Sequence, residues 1–325
     1  MSDAFLLSTA SMGTVVTIHI VGGGSASDRA AHHRAAERAL GWFREVERVC
    51  SRFQPSSEVS ALSSRVGEPV CVSPMLFAAT HFALAVAEET DGAFDPTLGS
   101  VLEAAGFNHE HRSGWPVRIA PASNGATFRD LELDVDARTI TLHRPLLLDL
   151  GAVAKGLAID MAAKELHDDG YENFTVDAGG DLYLAGSNAA GEPWSVGIRH
   201  PRQSDALMES LRVSNTAVCT SGDYERRASG DNAAIEHHII DPRTGASASR
   251  CASVTTLASS AMIADALGTA AFVLGPISGL ALLERHGIDA VIISPELDRV
   301  GTPGIPTAGA VYRGESPVDG SARAG

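Results

Sequence analysis

The stretch "SSAMIADALGTAAFVLGP", residues 259–276, reads as an apolar helix, yet it carries Asp265 and, four residues on, Thr269. Positions i and i+4 of a helix are stacked neighbours, so the carboxylate and the hydroxyl point the same way. A carboxylate buried in such a helix is costly unless it is paired or binds a metal. Carboxylate plus hydroxyl is a hard-oxygen set suited to Mg²⁺, which keeps waters and borrows phosphate oxygens. The pair is also compatible with an Asp facing a neighbouring Arg and a Thr bonded back to its own helix.

Other stretches offer complementary chemistry. "DLGAVAKG", residues 149–156, follows the apolar "PLLL" and opens a helix. Its Gly151 turn and Lys155 in the first helical turn can present N–H groups and a cation to a phosphate. It lacks the G-x-x-x-x-G-K-[ST] spacing of a Walker loop, and a plain turn with a surface lysine reads equally well. "DGAFDPTLG" (91–99) and "DAGGD" (177–181) pair acids with glycines, so backbone can approach a flat ligand while Asp95 or Asp177 accepts its hydrogen bonds. Local turn formation explains such loops as well. "EHHIIDPRTG" holds His237 and His238, either of which could act as a base near neutral pH. On an extended strand adjacent side chains oppose one another, so at most one histidine faces a given site; exposure of both is the alternative. "HEHR" (109–112) has too few partners for zinc, and no G-x-S-x-G elbow is present.

The elements that must hold these groups follow from periodicity. Residues 13–24 alternate β-branched positions and then run into glycines, as a strand and loop do. Residues 27–53 and 73–92 have helical spacing, the second with Ser73 as N-cap and Pro74 at the first helical position. Residues 107–130 are Gly-, Pro-, Ser- and His-rich and read as an exposed loop. Strands are predicted at "LELDV", "TITLH", "PLLLDL", "NFTVDAGGDLYLAG", "WSVGIRH", "ESLRVSN", "TAVCTSG", "ASVTTLA" and "DAVIIS", with helices at "AVAKGLAIDMAAKELHDDG", around Asp265 and at "SGLALLERHG". Strands in groups with helices inserted favour an α+β architecture with mixed or antiparallel sheets. One compact unit over residues 1–310 and a disordered tail over 311–325 are expected.

Composition narrows the partners. The 325 residues carry a formal charge of −15, with 44% hydrophobic and 20% charged residues. That balance argues against nucleic acid or an anionic membrane surface, which need clustered Lys and Arg. Cys50, Cys71, Cys219 and Cys251 are scattered, as in a reduced intracellular protein. The first residues lack a basic region followed by an apolar run, and no stretch is long enough to insert in a membrane, so a cytoplasmic location is expected.

Taken in order, "SMGTVVTI", "SRFQPSSEVSAL", "DGAFDPTLG", "LDLGAVAKGLAID", "VDAGGDLYLAG", "TSGDYERR", "HHIIDPRTG" and "SVTTLASSAMIADALGTAAFVLG" resemble the ApbE family of FAD:protein FMN transferases. The resemblance implies a T-fold-like unit and transfer of FMN from FAD to a Thr or Ser hydroxyl of an acceptor protein, with Mg²⁺ and release of AMP. It implies metal binding by Asp265, Thr269 and the carbonyl of Ala152. It implies FAD contacts at Met12, Phe53, Ala93, Phe94, Asp95, Asp149, Lys155 and Ile239, with His238 as the base. Some members carry a third carboxylate where Gly268 stands here. The family often has Tyr at the place of Phe53 and Glu at the place of Lys155, which bears on the balance between transfer and hydrolysis of FAD to FMN and AMP. A non-catalytic FAD-binding protein is the other alternative. The family's acceptor sequon resembles D-x-x-[ST]-G-A-[ST], and "DPRTGAS" (241–247) fits it, so Ser247 is a candidate for self-modification.

Overall fold

A computed structural model describes residues 4–109, 116–117, 125–225, 236–305 and 311–313. Its strands are β1 (Ala4–Ser11), β2 (Thr14–Val21), β3 (Pro69–Cys71), β4 (Leu131–Asp134), β5 (Thr139–Leu142), β6 (Phe174–Ala178), β7 (Asp181–Ala185), β8 (Trp194–Arg199), β9 (Leu207–Ser214), β10 (Thr216–Gly222), β11 (Ile240–Asp241), β12 (Ala246–Ser247), β13 (Ser253–Ala258), β14 (Asp289–Ile293), β15 (Arg299–Gly301) and β16 (Val311–Arg313). Its helices are α1 (Ala26–Cys50), α2 (Glu58–Leu62), α3 (Pro74–Glu89), α4 (Gly99–Ala104), α5 (Gly151–Asp168), α6 (Ala261–Leu274) and α7 (Pro276–Arg285).

An antiparallel sheet of order β1-β2-β6-β7-β10-β13-β14-β15 forms the middle layer. Alternation sorts its two faces. Val16, Ile18 and Ile20 of β2, Val176 and Ala178 of β6, and Cys219 of β10 point into the core shared with α1, α3, α5 and α6. Leu184, Val218, Leu257 and Val291 point the other way, into a smaller core closed by β8 and β9. The second sheet, β16-β9-β8, covers that face and includes one parallel pair, β16 with β9. The fold is α+β, as the grouped strands predict.

Three details differ from the sequence reading. "PLLLDL" is no strand: Leu146, Leu147 and Leu148 are buried, but only an isolated bridge, Leu98 to Leu147, is formed there. An apolar run can be buried without a ladder when a neighbouring element supplies a hydrogen bond, here the start of α4 through Gly99 N–H to Leu147 O (3.1 Å). β1 is a strand that the sequence reading does not place; its residues alternate between exposed and half-buried, and it forms as an edge strand through full pairing with β2. The expected tail begins at residue 311, yet Val311–Arg313 form β16, so strand structure extends beyond the predicted unit. Residues 1–3, 110–115, 118–124, 226–235, 306–310 and 314–325 lie outside the described residues, and with them most of "HEHR", much of the 107–130 loop, the arginines of "TSGDYERR" and the rest of the tail. No helix among the described residues is long and apolar enough to cross a membrane.

Candidate active site

α6 begins at a buried clamp. The Asp160 carboxylate of α5 accepts hydrogen bonds from Ser260 Oγ (2.6 Å), Ala261 N (2.7 Å) and Met262 N (3.1 Å). These are first-turn donors that a helix cannot satisfy internally. Burial pushes the Asp160 carboxyl above its ordinary range despite those bonds. One turn back on α5, Gly156 lies against Ala261 and Met262 so closely that a Cβ would meet their backbone at 2.5 Å. The two helices therefore run antiparallel. Gly156 marks the register of α5 against the first turn of α6.

Asp265 is 7% exposed, and Thr269 Oγ1 lies 3.3 Å from Ser221 Oγ at the end of β10. Gly268, between them on α6, faces the sheet: a Cβ there would stand 3.2 Å from Thr256 Oγ1 and 3.9 Å from Ser221 Oγ. A carboxylate in place of Gly268 would press on β13, so the close seat of α6 explains the glycine. Asp265, Thr269 and Ser221 make a hard-oxygen set with a single carboxylate. Among the described residues no group of three His, Cys, Asp or Glu side chains is placed to hold a metal. The nearby Cys219 thiol is held well above its ordinary range, by burial first and then by the Asp181 and Asp265 carboxylates. It stays protonated and offers no thiolate. The donor set thus fits Mg²⁺, which accepts few protein ligands and completes its shell with water and phosphate oxygens.

Lys155 follows on α5 and pairs with Asp181, which is 3% exposed and also accepts from Thr220 N (3.0 Å). The lysine expected to face phosphate is thus anchored by a buried carboxylate of "DAGGD". The other acid of that stretch, Asp177, lies between Val176 and Ala178 on β6 and faces the opposite side of the sheet. There it lines a cleft of about 340 Å³ with Thr175, Trp194, Thr220 and Thr255.

The start of α5 is tied to the remaining candidates through a residue absent from the sequence reading, Arg52. It is 5% exposed and donates to Asp149 Oδ2 (2.5 Å) and to Phe107 O (2.7 Å); its guanidinium carbon lies 4.1 Å from the Phe53 ring centre. Asp149 also accepts from Gly151 N (2.7 Å), which holds the turn into α5. The Phe107 ring meets the His238 ring edge to face at 6.4 Å. Phe53, Asp149 and His238 therefore surround one Arg52–Phe107 hub. The "DGAFDPTLG" loop joins it through Asp149 N to Pro96 O (2.8 Å).

Within that loop Ala93 and Phe94 are buried in the main core. Both oxygens of Asp95 are engaged, Oδ1 by Thr97 N (2.8 Å) and Thr97 Oγ1 (2.6 Å), Oδ2 by Phe128 N (3.1 Å). Burial raises the Asp95 carboxyl, and these bonds oppose the rise. Met12 stands in the two-residue turn between β1 and β2 at φ +51°, followed by Gly13 at +74°, the positive pair that a tight hairpin turn requires. Its N–H donates to Glu47 Oε1 (3.1 Å). Ile239 is buried.

The two histidines have separate fates. His237 is 5% exposed; its Nε2 lies 3.0 Å from Ala248 O and its Nδ1 3.3 Å from Ile239 N. A carbonyl only accepts, so Nε2 carries the proton and Nδ1 accepts, which makes His237 a neutral structural residue. His238 is half-buried beside Phe107. Arg52, Phe107, Asp160 and Ser221 were missed as site residues; "SRF" and "TSGD" carried two of them, but nothing in their spacing pointed to tertiary partners.

A sheet layered with helices on one face, with a hard-oxygen pair on α6, defines an α+β protein. The chain belongs to the ApbE family, whose profile matches residues 12–292. It is 31% identical over 296 residues to the FAD:protein FMN transferase of Vibrio cholerae, covering 88% of this chain and 86% of that protein. It is 35% identical over 285 residues to the FAD:protein FMN transferase of Treponema pallidum, covering 81% and 78%. Among solved structures, the ApbE protein of Thermotoga maritima superposes with a TM-score of 0.79 at 30% identity, covering 93% of this chain and 97% of that one. The flavin transferase ApbE from Vibrio cholerae does so with 0.77 at 28%, again over 93% and 97%.

Proposed function

We propose that this chain transfers FMN from FAD to a Thr or Ser hydroxyl of an acceptor protein and releases AMP. The observation that supports the proposal is membership of this family, together with the Asp265–Thr269–Ser221 oxygens and the Arg52–Phe107 hub, which meets Asp149 on one side and His238 on the other. Asp265, Thr269 and the Ala152 carbonyl would hold Mg²⁺, with Ser221 beside them. A divalent cation in such a set neutralises charge on phosphoryl oxygens.

The chain's own groups divide the remaining work. Backbone N–H groups at the start of α5 and the Lys155 ammonium, itself held by Asp181, favour the diphosphate of FAD. Phe53 offers apolar surface to a ring of FAD, the buried Ala93, Phe94 and Ile239 form the wall behind it, and Met12, Asp95 and Asp149 set the surrounding turns. His238 takes the proton of the acceptor hydroxyl as its oxygen bonds to the flavin-side phosphorus; the bond from that phosphorus to the bridging oxygen breaks and AMP departs. General-base assistance of this kind contributes about 10²–10⁴ in rate. Phe107 beside the base limits access of water, which would otherwise compete with the acceptor.

Incubation with FAD, Mg²⁺ and an acceptor carrying a D-x-x-[ST]-G-A-[ST] segment tests this. Flavin bound to the acceptor is expected. Free FMN with an unmodified acceptor would make the chain a pyrophosphatase, and intact FAD would make it a binding protein. Asp265→Ala is expected to abolish the Mg²⁺ dependence, and His238→Ala to bind FAD without transferring it. Normal turnover by either variant would remove that residue from its role.

A further inference from the structure

"DPRTGAS" resembles an acceptor segment, but the structure gives it another task. It folds as the β11–β12 hairpin: Asp241 O accepts from Thr244 N (3.1 Å) and Gly245 N (2.9 Å), and Gly245 adopts φ +69°. Ser247, at the end of β12, then turns its hydroxyl onto the backbone that leads into His238. Ser247 Oγ accepts from Glu236 N (2.9 Å) and His237 N (3.0 Å) and donates to His237 O (2.8 Å). One donor and two acceptors are all that a hydroxyl has, so its capacity is filled.

The location of these bonds matters. The His237 carbonyl belongs to the peptide unit that joins His237 to His238, so Ser247 fixes the plane from which the His238 side chain departs. The next residue, Ala248, completes the hold: its carbonyl accepts from His237 Nε2 (3.0 Å) and its N–H donates to Ile239 O (2.9 Å). His238 is therefore carried on a short arch with both flanking residues pinned to β12, while its ring meets Phe107.

We infer that Ser247 is a positioning residue for His238 and not a site of self-modification. The inference rests on the reading of His238 as the base. The hydroxyl proton of Ser247 is committed to His237 O, and freeing it for attack would release the arch that aims His238.

The test compares kcat for FMN transfer to the D-x-x-[ST]-G-A-[ST] acceptor, together with FAD affinity, in four proteins: wild type, Ser247→Ala, His238→Ala and the double variant. Misplacing a reacting group by about 1 Å costs up to about 10² in rate, so Ser247→Ala is expected to lower kcat by that order with FAD affinity unchanged. In the His238→Ala background the same change should cost nothing further, because the two residues act as one unit. Ser247→Thr, which keeps the hydroxyl, should restore kcat. Full kcat in Ser247→Ala, an undiminished loss in the His238→Ala background, or no rescue by Thr would each overturn the inference. If Ser247→Ala fails to fold, Ser247→Cys, of similar size but weak in hydrogen bonding, takes its place with the same outcomes. Should the wild type release FMN to water, the transfer reading falls, and the same comparison on hydrolysis decides the role of Ser247. The intact mass of wild type after incubation with FAD and Mg²⁺ should not change; a gain of one FMN at Ser247 would refute the assignment.

Discussion

Gly156→Ala and Gly41→Ala are chemically identical changes inside helices, and the structure predicts opposite signs for them. At Gly41 of α1 the nearest atom to an added Cβ is the flexible Arg44 Nη2 at 3.8 Å. Alanine there should stabilise by about 0.5–1 kcal/mol, through better helix propensity and a less flexible unfolded chain. At Gly156 of α5 the added carbon would sit 2.5 Å from Ala261 C and O and from Met262 Cα, where ordinary contact is 3.4–4 Å. Those are backbone atoms of a helical turn clamped by Asp160, so no rotamer change relieves the overlap. The helices must part by roughly 1 Å, which in a close-packed core costs about 1–3 kcal/mol. Subtracting the propensity gain of about 1 kcal/mol leaves Gly156→Ala destabilised by up to about 2 kcal/mol. Urea titrations read both: the midpoint should rise for Gly41→Ala and fall for Gly156→Ala, at unchanged slope. A midpoint for Gly156→Ala at or above wild type would refute the close α5–α6 contact and the register built on it.

Further outcomes follow from the buried charges and thiols. Asp160→Ala strands three donors at the start of α6 and is expected to cost about 3–5 kcal/mol by denaturant unfolding, while Asp160→Asn, which keeps one acceptor oxygen, should cost less. Because burial raises the Asp160 carboxyl above 3.8, the unfolded chain loses this proton first as pH rises. This group therefore lowers stability through the window just above that value, and Asp160→Asn should remove that decline from the pH profile. Lys155→Met leaves the buried Asp181 without its cation and should destabilise by about 3–5 kcal/mol, with much of the loss recovered in Lys155→Met/Asp181→Leu. Cys71 is exposed, whereas Cys50 and Cys251 have thiols pushed up to about 12 and Cys219 is buried. Titration of the native protein with a thiol reagent should show one fast thiol, and more than one would place a second cysteine at the surface.

Local chemistry decided much of this protein before any folding. The Ser73–Pro74 start of α3 and the alternation of Val16, Ile18 and Ile20 are written in short-range rules, and α3 and β2 form where those rules place them. The one-face geometry of Asp265 and Thr269 follows from helical spacing alone, and the order of the motifs matches the family to which the chain belongs. What spacing does not encode is which side chains meet across the chain. Arg52 and Asp149 are 97 residues apart, Asp160 and Ser260 are 100 apart, and Ser221 and Thr269 are 48 apart. "PLLLDL" looked like a strand because burial, which a run of leucines reports, is not the same property as ladder pairing, which depends on the neighbour. "DPRTGAS" fits the acceptor sequon residue by residue, and only the fold shows where the Ser247 hydroxyl points. Periodicity is a property of neighbours in sequence, whereas the clamp on α6, the Lys155–Asp181 pair and the arch beneath His238 are contacts between distant segments, created when the sheet and its helices bury their apolar faces together.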